Sequence, residues 1–173
     1  MQHQNSGSMK HLIVFIMTLS STVALAQNGK ATTIKKTFNR TTTVSIKIDA
    51  DAATVWRILT DAPGYPIWNS TIVSLKGKIA EGEKIELTST LDPERTFKLK
   101  VKEMQENEMM VWGDAMGKRT YTLTKEGNGV VFTMSEKIGG NPMFPLFANK
   151  IPSFDESFET FAADLKKKAE SSK

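Results

Sequence analysis

Apolar and polar residues alternate over much of this chain. Val44, Ile46 and Ile48 interleave with Thr43, Ser45 and Lys47, the period of a strand with one buried face. Residues 72–79 read as a second strand, closed by Glu81-Gly82. Residues 84–91 carry Ile85 and Leu87 on one face and end at Asp92-Pro93. In 95–104, Phe97, Leu99 and Val101 share a face, with Lys98, Lys100 and Lys102 opposite. Residues 109–116 are apolar, with Met110 and Trp112 on one side, and end at Gly117. Residues 118–125 carry Tyr121 and Leu123. Asn128-Gly129 is a hairpin signal, after which Val130, Phe132 and Met134 share a face with Glu136. Strands punctuated this closely predict an antiparallel meander.

Two stretches change to the helical period. Ala52, Val55, Trp56 and Leu59 predict a short helix over 52–60, with Asp49 or Asp51 as its cap. Pro63, Gly64 and Pro66 then force a compact turn or a second short helix, and Trp56 and Trp68 are expected to pack these pieces onto the sheet. Gly139 to Pro142 ends the meander. Phe154, Phe158, Phe161 and Leu165 follow at i, i+4, i+7 and i+11, which predicts a long amphipathic helix. Ser153 and Glu156 have capping-box spacing. Asp155 and Glu156 suit the positive end of the helix dipole, and Lys166 to Lys168 the negative end. Between sheet and helix, residues 143–151 are apolar and bounded by prolines, as a mobile lid or a packed connector would be.

The expected fold class is therefore α+β. A curved antiparallel sheet of about six to seven strands wraps a long C-terminal helix, with two short helices after the first strand. A sheet curved in this way leaves room for a cavity against the helix. Residues 27–40 are polar and mixed, and read as a tether or loose first segment before a domain at 41–170.

The first 26 residues read differently. Lys10 and His11 precede the apolar run Leu12 to Met17, and the stretch ends in Ala24-Leu25-Ala26. A basic start, a short apolar middle and a small-residue end describe a secretory signal peptide cleaved near Ala26. Residues 1–8 look like an upstream extension, because Met9-Lys10 makes a more usual opening. The expected location is periplasmic or secreted. Both histidines of the 173-residue chain, His3 and His11, fall in this leader, and there is no Cys. The mature protein then has neither His nor Cys, which excludes His-based triads, thiol nucleophiles and the common zinc sites. No metal site and no cofactor is implied. The net charge of +4 is modest and the lysines are scattered, so a nucleic-acid partner is not expected.

Few residues carry candidate chemistry. By alternation Glu136 points toward the apolar interior, where an isolated carboxylate is costly. It must pair, meet a polar ligand group, or lie at the wet end of the sheet. Asp114, read on the face of Trp112, raises the same question. Arg119 and Tyr121 are the candidate partners, with Tyr121 alone assigned to the apolar parity. The stripe Phe154, Phe158 and Phe161 packs the core, lines the cavity, or does both. Trp112 is divided between core and ligand contact. The stripe Lys98, Lys100 and Lys102 is a solvated outer face, or a transient contact with anionic lipid headgroups. Asn39-Arg40-Thr41 and Asn69-Ser70-Thr71 match glycosylation sequons.

The run Ala53-Thr54-Val55-Trp56-Arg57-Ile58-Leu59-Thr60-Asp61, then Tyr65-Pro66-Ile67-Trp68-Asn69, resembles the opening signature of the START-like (SRPBCC) superfamily. It is similar more closely to the polyketide cyclase/dehydrase and lipid transport group. The segment from Glu136 to Gly139 and the Phe-rich last helix fit that family's second half, so the resemblance covers about residues 41–168. It implies a helix-grip fold with a mostly apolar cavity for a lipid, polyketide or similar molecule. It implies no shared catalytic motif, so fold alone does not decide function. The expected ligand wall is Leu87, Phe97, Leu99, Met110, Trp112, Tyr121, Phe132, Met134, Glu136, Phe147, Phe154 and Phe158. The leading expectation is an exported carrier of a hydrophobic small molecule, as a monomer or weak dimer. One alternative is a cyclase or hydratase using Glu136 or Asp114 as acid/base, with Tyr121 as donor. Another is a protein-interaction module with a filled core and an exposed apolar patch near Met143 to Phe147.

Overall fold

A computed structural model describes residues 27–172 of the chain, so the expected signal peptide lies outside the described residues. Eight strands form one open antiparallel sheet: β1 (Asn28–Lys36), β2 (Asn39–Ile48), β3 (Ile72–Gly77), β4 (Lys84–Ser89), β5 (Asp92–Gln105), β6 (Met109–Gly113), β7 (Gly117–Glu126) and β8 (Gly129–Gly139). Their spatial order is β1-β2-β8-β7-β6-β5-β4-β3. Two short helices, α1 (Ala52–Thr60) and α2 (Tyr65–Trp68), carry the chain from β2 to the far edge at β3. The long helix α3 (Asp155–Glu170) returns across the inner face and packs mainly on β1 and β2. This is the helix-grip arrangement, with eight strands where the pattern suggested six to seven.

The extra strand is β1, inside the segment expected to be loose. Its register with β2 runs from Lys36 opposite Asn39 back to Asn28 opposite Ile46. The sequence hid it because most of its residues are polar and exposed, so alternation has no apolar face to report. Polar contacts hold it instead. Glu159 of α3 accepts the Ala31 backbone N–H at 3.0 Å and the Lys30 ammonium at 2.9 Å. Those two donors, the Ala31 amide foremost, hold the Glu159 carboxyl below its ordinary pKa. Asp155 accepts the Thr33 hydroxyl in the same seam.

Inside, the alternation read from the sequence holds. Val44 and Ile48 of β2, Met110 and Trp112 of β6, Leu123 of β7, and Val130, Phe132 and Met134 of β8 are all buried. From α3, Phe158, Phe161, Ala162, Leu165 and Ala169 close onto them. Each such Phe removed from water contributes about 1.5–3 kcal/mol. The outer face of the β2–β8 pair is instead a hydroxyl ladder, with Thr43 on Ser135 at 2.9 Å and Ser45 on Thr133 at 2.9 Å.

Several boundaries moved by a residue or two, each for a local reason. Asp51 caps α1, accepting the Thr54 amide at 2.7 Å. The β4–β5 turn is Thr90-Leu91, since Asp92 already pairs with Ser89 and Pro93 is the second residue of β5. The β7–β8 hairpin turns on Gly127-Asn128, because Gly127 takes the positive φ. The capping box does not form. Ser153 lies one residue too early, its hydroxyl bonds Asp155, and Phe154 takes the cap position. Asn69 is buried, accepts from Thr71 and donates to the Phe161 carbonyl, so that sequon is a structural knot and not an exposed acceptor.

Candidate functional site

The inner face of the sheet is filled at one end and hollow at the other. The filled end is an aromatic cluster. Tyr65 and Trp68 of α2 lie 4.9 Å apart by ring centroid, Trp112 and Tyr121 4.9 Å, and Trp68 and Phe161 5.6 Å. Phe132 stacks on Phe161 at 6.2 Å. The Tyr65 hydroxyl donates to the Leu59 carbonyl at 2.8 Å.

The hollow end is a cavity of about 340 Å³, bounded by β4–β8, the start of β3, the 147–152 connector and the first two turns of α3. Nine of the twelve expected wall residues line it: Leu87, Phe97, Leu99, Trp112, Met134, Glu136, Phe147, Phe154 and Phe158. Met110, Tyr121 and Phe132 do not. They are buried behind the wall, in the aromatic cluster, because the alternation that fixes a face does not say how deep along the strand the face stays open. Phe161, read as part of the stripe, forms the cavity's inner end. Unforeseen wall residues include Leu91, Met116 and Ile151, from turns and the connector, where no period operates, and Arg95 of β5 and Ile138 of β8, which continue the inward parity of Phe97 and Glu136.

One row of side chains crosses this face. Thr42 of β2 stands opposite Glu136 of β8, Glu136 opposite Arg119 of β7, Arg119 opposite Trp112 of β6, and Trp112 opposite Val101 of β5. Arg119 therefore shares the inner face with Tyr121, two residues on. The assignment of Tyr121 alone to that face is corrected: counting by two from Tyr121 reaches Arg119. The pair Arg119–Glu136 is the polar centre of the site. Arg119 Nε donates to Glu136 Oε2 at 2.5 Å, and its Nη2 meets the same oxygen. The two side chains are only 15% and 16% exposed. The guanidinium lies 5.1 Å from the Phe158 ring centroid, on its face. Burial is the largest influence and disfavours the Arg119 charge, but Glu136 and Tyr121 together outweigh it, and the group is held protonated more firmly than an ordinary arginine.

Three buried polar atoms near this row have no hydrogen-bond partner among the described residues: Trp68 Nε1, Trp112 Nε1 and the Tyr121 hydroxyl. Burial pushes the Tyr121 phenol up to about 12, against the pull of the neighbouring Arg119 charge. That hydroxyl is within electrostatic reach of Arg119 but has no hydrogen bond of proper geometry with it.

Asp114 is not on the face of Trp112. β6 stops at Gly113, and Asp114 opens the turn to β7, where its Oδ1 accepts the Met116 and Gly117 amides at 2.7 and 2.8 Å. It reaches the cavity only at the mouth. The connector is two 3-10 turns, Phe144–Leu146 and Ala148–Lys150. Phe144 anchors it in the interior and Phe147 faces the cavity, while Met143 and Leu146 stand 61% and 71% exposed. Arg40 pins its end, donating to the Ile151 and Pro152 carbonyls at 3.2 and 2.7 Å and lying over the Phe154 ring. Lys98, Lys100 and Lys102 are exposed on the outer face, away from the cavity lining, and Lys102 Nζ bonds the Asp114 carbonyl.

A sequence profile of the family described as polyketide cyclase / dehydrase and lipid transport matches residues 39–170. No curated protein matches the chain at a significant level. Solved structures do match its fold. A protein of Nitrosomonas europaea superposes with a TM-score of 0.61 at 15% identity, over 80% of this chain and 98% of its own. One from Mesorhizobium loti gives 0.60 at 19% identity, over 78% and 99%. A START superfamily protein from Mycobacterium smegmatis gives 0.58 at 16% identity, over 77% and 99%. At these identities the likeness is one of fold.

Proposed function

Because the chain belongs to the polyketide cyclase/dehydrase and lipid transport family, we propose that it is an exported carrier holding one hydrophobic small molecule between its sheet and α3. Binding of a hydrophobic ligand is the role that family and fold support. The observation that carries the reading is the cavity itself: about 340 Å³, walled by Leu87, Phe97, Leu99, Phe147, Phe154 and Phe158, and left unfilled by a chain that packs the neighbouring end of the same face with aromatics. Apolar ligand surface buried there is worth about 25 cal/mol per Å² before the costs of association. Export rests on the pattern of residues 10–26.

The acid/base alternative finds both its carboxylates engaged. Asp114 holds a turn through two backbone amides, and Glu136 is paired with Arg119. The interaction alternative required a filled core, and the cavity speaks against it, although Met143 and Leu146 do give an exposed apolar patch.

The test is to express the full chain with its leader and recover the exported fraction by a mild route. Native mass spectrometry and organic extraction then follow. A shortened chain starting near Gln27 and carrying a stoichiometric apolar molecule is the expected result. An empty chain that also fails to bind a neutral apolar fluorophore would overturn the carrier reading, and retention in the cytosol would overturn export.

A further inference from the structure

Resting on the carrier reading, we propose that the mouth end of the sheet docks on an anionic phospholipid surface. Apolar turn tips enter the interface and a row of lysines meets the headgroups. Strand direction places the tips. The turns after β1, β4 and β6 and the exit from β8 all lie at the mouth end, and the 143–151 connector crosses the same end. Eight large apolar side chains are exposed among the described residues, and five of them sit there: Phe38, Leu91, Met116, Met143 and Leu146. Backbone bonds tie these turns together. The Gly139 amide donates to the Met116 carbonyl at 2.9 Å, and the Gly140 amide to the Phe38 carbonyl at 2.7 Å. Leu91 and Met116 also line the cavity, so the apolar tips border its opening.

The charge beside these tips is positive and unpaired. On the outer face, Lys84 of β4 stands directly opposite Lys100 of β5, and Lys118 of β7 directly opposite Lys137 of β8, with Gly113 of β6 between the two pairs. All four lysines are exposed, and none makes an ion pair among the described residues. Like charges facing across a ladder destabilise a sheet, a cost that an anionic surface removes. Lys118 and Lys137 lie at the strand ends nearest the mouth. On the rim itself Arg95 and Lys150 balance Asp92 and Asp114, so the lysine row sets the sign. The turns at the other end of the sheet carry acids instead: Asp49 and Asp51 after β2, Glu81 and Glu83 after β3, Glu106 and Glu108 after β5. An anionic surface therefore draws in the mouth and repels the opposite turns. A soluble polyanion would satisfy the lysines but leave the five apolar tips in water, whereas a lipid interface takes both.

The test is sedimentation of the exported protein with vesicles. Phosphatidylcholine vesicles with about one-third phosphatidylglycerol should bind it at least about tenfold better than phosphatidylcholine alone, and added salt should weaken that binding. Lys118→Gln with Lys137→Gln should weaken it at least about tenfold. Lys78→Gln with Lys125→Gln removes the same charge from the opposite end and should change binding by about twofold or less. The chain has no Cys, so a single introduced thiol can carry an environment-sensitive dye. On anionic vesicles the dye at Leu146→Cys should shift to the blue, and the dye at Glu106→Cys should not. Equal binding to both vesicle types overturns the inference. So does an equal loss in the two lysine double variants, a blue shift at Glu106→Cys without one at Leu146→Cys, or retention on polyphosphate beads without binding to vesicles. Uptake of N-phenylnaphthylamine, measured without vesicles, reads the carrier function separately. Fluorophore uptake without vesicle binding overturns the docking surface alone. Vesicle binding by a protein that takes up no fluorophore overturns the carrier reading and upholds the docking surface.

Discussion

The two ends of the sheet's inner face are built from the same alternation but reach opposite results. At one end, α2 supplies Tyr65 and Trp68, α3 supplies Phe161, and the sheet supplies Tyr121 and Phe132, all packed ring against ring. At the other, the wall residues Phe97 and Leu99 of β5 and Phe154 at the cap of α3 stay only half-buried. The difference is one of partners. The filled end has helices on it from two parts of the chain, whereas the hollow end faces only the first turns of α3 and a proline-bounded connector. A half-buried apolar wall is a standing cost to stability that a ligand can remove. The lesson is that hydrophobic pattern marks which side chains turn inward, and the number of covering elements decides whether inward means core or cavity.

The largest expected effect separates the two ends. Phe132→Ala, in the filled end, should lower unfolding stability by about 3–5 kcal/mol, since it empties a close-packed site. Phe97→Ala, in the hollow end, should lower it by about 1 kcal/mol or less, because much of that ring already faces solvent or cavity. The order reverses for binding of a neutral fluorophore, where Phe97→Ala should weaken affinity more than Phe132→Ala does. Urea denaturation and fluorophore titration on both variants measure this. Equal destabilisation would mean that the hollow end is packed in solution.

A plug sharpens the same contrast. Ser157 lies on α3 among Phe154, Phe158 and Phe161, and lines the cavity. Ser157→Phe puts a ring into space that is already empty, so the midpoint of unfolding should shift little. Binding of the fluorophore should fall at least about tenfold, the loss of roughly 1.4 kcal/mol. The same small-to-large change in a filled core would cost about 1–3 kcal/mol through overpacking. A folded Ser157→Phe with unchanged affinity would place the binding site elsewhere.

The sequence carries these features unevenly. The inward set of β5 to β8 was legible, since period two survives wherever one face is buried. β1 was not, because its hold on the sheet is backbone pairing and its hold on α3 is Glu159 and Asp155, which leave no apolar trace. Glu136 was legible as an inward carboxylate. Its partner was within reach of the same counting, but Arg119 is a charged residue on an apolar face, and the expectation followed residue type over position. Asp114 was misplaced because Gly113 ends its strand and an Asp at that point bonds its own turn. Which inward residues line the cavity and which lie behind it depends on how α2 and α3 pack, a tertiary fact that no local period carries.

The smallest effect concerns the boundary between the two ends. The chain's two tyrosines, Tyr65 and Tyr121, are both buried in the filled end. Burial holds both phenols up, Tyr121 to about 12. Ionisation is therefore disfavoured in the folded state, while the unfolded chain ionises near its ordinary value of about 10. Stability from these groups is fully present below about pH 10 and is lost as pH rises from there toward about 12, because the unfolded state gives up its protons first. Tyrosinate absorbance should then stay low through pH 10 and rise together with loss of the near-ultraviolet circular dichroism. Tyr121→Phe removes a buried hydroxyl that has no partner. It should leave neutral-pH stability unchanged or raise it by about 1 kcal/mol, and shift the alkaline transition upward. A loss of more than about 1 kcal/mol would show that this hydroxyl is hydrogen-bonded in solution, through a water or through Arg119. The filled end would then reach into the polar row that bounds the cavity.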